Sequence, residues 1–345
     1  MVPSPPLRVF VESIHRNVDG RAWVDSVLKK SAAFAIVGAS LAFPVAAQTA
    51  WPAKPVRLVV PVASGGPSDT AARALARGLS GVLGQPMTVE NRPGANLGIG
   101  AQAVLAAAPD GHTLLFALGG NVGLPALSRA APYRSLNEFA PVGTIGGPAL
   151  CLFTAPSVPG RSVAELVAHA RGLPQPLLWG SNQVAEDFVA WQLMQASGIA
   201  LTRVGYKGIA QMMPDLVEGR VQVAFVPSAT GSQHLASGRL KLLACNAAER
   251  LPALPDVPTF SETGVVASRT VPAHFVMAPP ATPAAITERL SADLRNVAAS
   301  PAYLQDIERL HFVGSARTPA QTRDLVRELE VVWARFVRDT GATLD

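Results

Sequence analysis

The stretch Val59–Leu79, "VVPVASGGPSDTAARALARGL", decides the fold class. It opens as a continuous apolar run, breaks at a loop of small residues and resumes as an alanine-rich segment. Ala72, Leu75, Ala76 and Leu79 fall on one helical stripe, so a helix is expected over Ser68–Leu83. Strand, glycine loop and helix in that order are the building unit of a parallel α/β layer. The loop Ala63-Ser64-Gly65-Gly66-Pro67-Ser68 lies where backbone N–H groups at a helix start can receive an anion.

The same unit recurs. "MTVE" (87–90), "TLLFAL" (113–118), "PLLWGS" (176–181), "LTRVGY" (201–206), "VQVAFV" (221–226) and "LKLLAC" (240–245) read as strands. Helices are expected over 162–171, 185–197, 209–218, 283–298, 301–310 and 319–340. Ser162 with Glu165 has capping-box spacing, and Thr318, Pro319 and Gly341 bound the last helix. This alternation predicts an α/β fold with mainly parallel sheets. Two long extended crossings, near 145–155 and 270–278, predict two lobes joined by two crossing strands. Ligand would then bind where strand ends meet helix starts.

At 345 residues and 49% hydrophobic content the chain can bury a large core. Its formal charge of +5 is not concentrated in any basic run or basic-aromatic tract, so no nucleic-acid partner is expected. Lys29-Lys30, the apolar "SAAFAIVGASLAFPVAAQ" and Val45 with Ala47 before Gln48 read as an export signal over 1–47, cleaved near Ala47. Export to an oxidising compartment permits a bridge between Cys151 and Cys245. Two buried free thiols are the plainer reading of their apolar surroundings.

Several catalytic motifs fail on inspection. Gly98-x-Gly100-x-x-Ala103 has dinucleotide spacing, but "ENRPGAN" separates it from the preceding strand. No GxSxG or Walker loop exists, and the six His are dispersed, so neither cofactor nor metal is expected. Three loops instead have cradle chemistry: Ser64-Gly65-Gly66 with Ser68, Gly119-Gly120-Asn121, and Gly180-Ser181-Asn182-Gln183. Asp69 is expected to cap its own helix.

These residues resemble the Bug family of periplasmic solute-binding proteins, the receptors of tripartite tricarboxylate transporters. The resemblance spans Trp51 to Thr340. It rests on "WPAKPVRLVVPVASGGPSDTAAR", "LGQPMTVENRPGANLGIGA", "AAPDGHTLL", "YKG" at 206–208, "GRLKLLA" and "AERLPALPDVPTFSETG". It implies a type II periplasmic-binding-protein (Venus flytrap) fold and no catalysis. Lobe one would comprise 48–150 and 271–345, and lobe two 151–270. A small organic acid would be gripped by Ser64, Gly65, Gly66, Ser68, Gly119, Gly120 and Asn121 from lobe one and by Ser181 and Asn182 from lobe two. Hinge closure would precede delivery to membrane permease subunits, with the receptor acting as a monomer. A ligand sensor for a membrane signalling partner is the alternative, and a Rossmann-like enzyme a remote third.

The chain departs from the family pattern in lobe two. Glu186 and Asp187 stand where relatives carry Ser or Thr, Phe188 where they carry His, and Val226 where they carry Asp. The two acids either cap the helix start or face a ligand whose end is neutral, apolar or amine-bearing. Lys207 is the cation expected nearest to them in chain order, and His274 is expected to pack at the hinge.

Overall fold

The computed structural model describes residues 51–264, 272–313 and 316–345; the export-signal reading lies outside them. β1 (Val56–Val60) leads through the small-residue loop into α1 (Pro67–Leu83). β2 (Met87–Asn91), α2 (Gly98–Leu105), β3 (Thr113–Ala117) and α3 (Gly119–Leu127) follow. β4 (Ala140–Pro148) then runs almost directly into β5 (Leu150–Thr154). Next come α4 (Val163–Arg171), β6 (Leu177–Ser181), α5 (Val184–Ser197), β7 (Leu201–Gly205), α6 (Ile209–Val217), β8 (Val223–Pro227), α7 (Ser228–Ser232) and β9 (Lys241–Cys245). β10 (Ala273–Ala278), α8 (Ala284–Ala298), α9 (Pro301–Glu308), β11 (Phe312–Val313) and α10 (Pro319–Thr340) close the chain. Thr318 Oγ1 accepts from Gln321 N at the start of α10, and Gly341 ends it in the left-handed region at φ 66°.

The strands form two sheets, ordered β11-β4-β10-β3-β1-β2 and β7-β6-β8-β5-β9. The expectation of mainly parallel sheets is corrected: both are mixed. β1 is parallel to β2 and β3, and β6 to β7 and β8. β10 is antiparallel to β3 and β4, and β5 to β8 and β9. The reason is directional. β4 leaves the six-stranded sheet for the five-stranded one and β10 returns, so the two crossing strands run oppositely where they pair.

Alternate residues of β1 enter different cores, as the period of a strand requires. Val56, Leu58 and Val60 pack with Leu75, Phe116 and Leu294 on one face of the six-stranded sheet. Val59, on the other face, belongs to a cluster that continues through Phe275 and Leu152 to Trp179 and Phe225 of the second sheet. A third cluster, with Met212, Leu216 and Val226, covers the far side of the five-stranded sheet.

Cys151 and Cys245 sit opposite each other on β5 and β9 and form a disulfide, 94 residues apart in sequence. The free-thiol reading is therefore corrected; antiparallel pairing of two non-adjacent segments brings the sulfurs together. The dinucleotide-like Gly98-x-Gly100 opens α2 instead of a nucleotide loop. A Cβ on Gly100 would lie 2.8 Å from the Pro61 Cβ, so this glycine lets α2 close on the exit of β1.

Candidate functional site

β1 and β3 are parallel neighbours, so the loops that follow them leave the same edge of the six-stranded sheet. The first, residues 61–66, is short of bulk: a Cβ at Gly65 or Gly66 would meet no atom within 4 Å. Pro67 occupies the first helical position, where its missing N–H costs nothing. Asp69 is buried and does not cap its own helix as expected. Gly66 holds the N-cap position, so Asp69 reaches back from the third helical position and takes the Gly65 N–H at 2.9 Å. Arg73 Nε (2.9 Å) and Asn91 Nδ2 (2.8 Å) complete its shell. Burial opposes ionisation of Asp69, but Arg73 and these donors outweigh it and hold the carboxyl below its ordinary range.

Ser68 is half-buried, and its Oγ lies 2.8 Å from His274 Nε2 on the returning strand β10. The imidazole sits against Phe116 and Phe312, with centroids 4.9 and 5.4 Å away. Burial pulls its pKa down to about 3, so it stays neutral. The Ser68–His274 pair ties the first loop to the second crossing strand.

The second loop carries Gly119 and Gly120 at the first turn of α3. Space is open where a Cβ on Gly119 would project. Asn121 turns inward instead: Leu118 N donates to its Oδ1 at 2.9 Å, and Tyr133 OH donates to its carbonyl at 2.7 Å. It shapes the loop, and its side chain is committed to that backbone.

The third loop follows β6. Ser181 is fully buried and donates to Gln183 O. Glu186, also fully buried, folds back over the loop. It accepts from Asn182 N at 2.7 Å, Asn182 Nδ2 at 2.9 Å and Gln183 Nε2 at 3.3 Å. Burial pushes its pKa up to about 7, with Asp187 adding to the rise and the hydrogen bonds opposing it. Asp187 pairs with Arg203 Nε at 2.7 Å. The cation beside these acids is thus Arg203 on β7, a residue that reading by chain order passed over in favour of Lys207.

All three loops share one device. The side chain of the third residue of the next helix returns to bind a loop N–H: Asp69 to Gly65, Asn121 to Leu118, Glu186 to Asn182. The helices behind the second and third loops meet. Phe188 on α5 stacks on Trp333 of α10 with centroids 4.3 Å apart, and a Cβ on Gly123 of α3 would lie 2.5 Å from the same indole. Two surface grooves, of about 630 and 370 Å³, run along β9 and beside the C-terminal residues, and no residue of the three loops lines either. Among the described residues no helix is long and apolar enough to cross a membrane. No group of three or more His, Cys, Asp or Glu that could hold a metal ion occurs among them.

Residues 71–341 match the family described as the tripartite tricarboxylate transporter family receptor. Protein BugT of Bordetella pertussis is 33% identical over 314 residues, covering 90% of this chain and 96% of its own. A structure of an R. palustris protein with adipate superposes with a TM-score of 0.72 at 29% identity, covering 85% of this chain and 99% of that one. MatC from Rhodopseudomonas palustris with bound malate gives 0.67 at 28% identity, covering 83% of this chain and 100% of that one.

Proposed function

The chain belongs to the tripartite tricarboxylate transporter receptor family, and from that premise we propose that it is an exported receptor that closes two lobes on a small organic acid. Lobe one (48–150 with 271–345) and lobe two (151–270) are the bodies that move. The receptor acts as a single copy and delivers its ligand to membrane permease subunits. One observation carries the ligand class: the Asn182 N–H and side-chain amide of lobe two are both committed to Glu186. A second carboxylate arriving there would find both Asn182 donors already taken, with the Glu186 carboxyl group beside them. Lobe one keeps open space at Gly65, Gly66 and Gly119. Asp69 takes the Gly65 N–H, but Arg73 pairs its charge, and the first-turn N–H groups of α1 and α3 beside that space favour an anion. The ligand is therefore an acid with one carboxylate held at lobe one by Ser64, Gly65, Gly66, Gly119 and Gly120. Its other end, toward Ser181, Asn182, Glu186 and Asp187, is neutral or a hydrogen-bond donor.

A thermal-shift screen of residues 48–345 against mono-, di- and tricarboxylates, amino acids and amides tests this. Ligand at 100 times its Kd adds about 2.7 kcal/mol, enough to move the Tm by a few degrees. Mono-acids and amide-ended acids are expected to stabilise the protein. Equal or larger shifts with dicarboxylates overturn the single-carboxylate reading, and silence across the panel overturns the small-acid assignment.

A further inference from the structure

We infer that Trp333 is a positioning residue that sets the span between the two lobes' binding loops, and through that span the length of ligand the receptor accepts. The inference rests on the receptor reading for its ligand and on geometry for everything else. Trp333 is buried on α10, a helix that packs on the six-stranded lobe, yet its indole stacks on Phe188 of the other lobe at 4.3 Å and an interplanar angle of 23°. Phe336, one turn along α10, meets both Phe188 (5.6 Å) and Trp191 (5.6 Å) edge-on. On the lobe-one side, α3 has a glycine at the contact. A methyl group at Gly123 would lie 2.5 Å from the indole Cδ2 and 2.7 Å from Cε3, so only glycine lets this helix approach so closely.

The chain spacing gives this contact its meaning. Gly123 lies one helical turn after Gly119, and Phe188 one turn after Val184, the first residue of α5. A turn rises about 5.4 Å. Each of the two helices that present binding loops from opposite lobes thus touches the same indole one turn behind its loop. A rigid ring of fixed thickness between two helix starts acts as a spacer. Removing it lets the loops approach or wander, and thickening the contact pushes them apart. Phe188 and Trp191 on lobe two and Trp333 and Phe336 on lobe one make the contact apolar, so it tolerates small rotations without losing a directed bond.

The test compares wild type with W333F, W333A, F188L and G123A. Spin labels at Val82→Cys on lobe one and Ala168→Cys on lobe two, both on exposed helix faces, report the interlobe distance without ligand. Affinities for a homologous series of straight-chain acids differing by one methylene report the accepted length. W333F should keep the wild-type distance distribution and length optimum. W333A and F188L should broaden the distribution and reduce discrimination between neighbouring chain lengths by roughly tenfold. G123A should move the mean distance without broadening it. Wild-type distances and length optimum retained in W333A, F188L and G123A would overturn the inference. If W333A does not fold, F188L and G123A carry the decision. If wild type binds no member of the series, the receptor reading fails while the distance measurements still decide the spacer role.

Discussion

At the scale of single residues, the site is a set of loops held by their own helices. Glu186 is the case with a measurable consequence. Its folded pKa of about 7 exceeds the ordinary glutamate value of 4.5, so the folded protein holds a proton that the unfolded chain releases. Stability from this group is therefore greatest below about pH 4.5 and falls as pH rises toward 7, by about 3 kcal/mol at the upper bound. Glu186→Gln should flatten the decline in Tm between pH 5 and 7.5 relative to wild type, and parallel Tm profiles would refute it. Ser68→Ala should cost about 1–2 kcal/mol in urea unfolding, because it leaves the buried His274 Nε2 without its partner. Much at this scale was legible: small residues and a downstream acid marked the first and third loops. What the acids touch was not. Asp69 binds Gly65 and not its own helix start, and Asp187 meets Arg203, which parallel pairing of β6 with β7 carries alongside Trp179. Chain order cannot rank Arg203 above Lys207 until the strand register is known.

At the scale of elements, apolar runs and caps located the helices and strands well, since those signals are local. Direction and pairing were harder because they depend on segments far apart in the chain. The dinucleotide-like glycines show how a motif can be reassigned by its neighbours. Gly100 serves close packing on Pro61, so Gly100→Ala should destabilise by about 1–3 kcal/mol through overpacking, with no change expected in any nucleotide titration. The disulfide is the converse case: two cysteines in apolar strands gave no register, and only the pairing of β5 with β9 joins them. Replacing both cysteines by alanine should lower stability by about 2–5 kcal/mol, as expected for opening a cross-link between residues 94 apart. Urea midpoints of oxidised, reduced and double-alanine protein would measure it; three coincident midpoints would mean that the bridge adds nothing.

At the scale of the whole molecule, the long extended stretches near the lobe boundaries made a two-lobed architecture readable: β4 runs almost directly into β5, and β10 pairs back on β4. The depth of contact between the lobes was not readable. One apolar cluster runs from Val59 and Phe275 of the six-stranded sheet through Leu152 to Trp179 and Phe225 of the other, and it includes Phe188 and Trp333. Lobes joined only by two strands would unfold separately, whereas lobes sharing a buried cluster should unfold together. Trp51 reports on the first lobe and Trp179 on the second. In variants of residues 48–345 that keep only one of these two tryptophans, with Trp191 and Trp333 both replaced by Phe, both probes and far-UV circular dichroism should give the same urea midpoint. With Trp333 replaced by Ala, the shared cluster loses its largest interlobe side chain and the two midpoints should separate. Separate midpoints already in the Phe background would mean that the lobes are thermodynamically independent. The span between their loops would then be set by ligand alone.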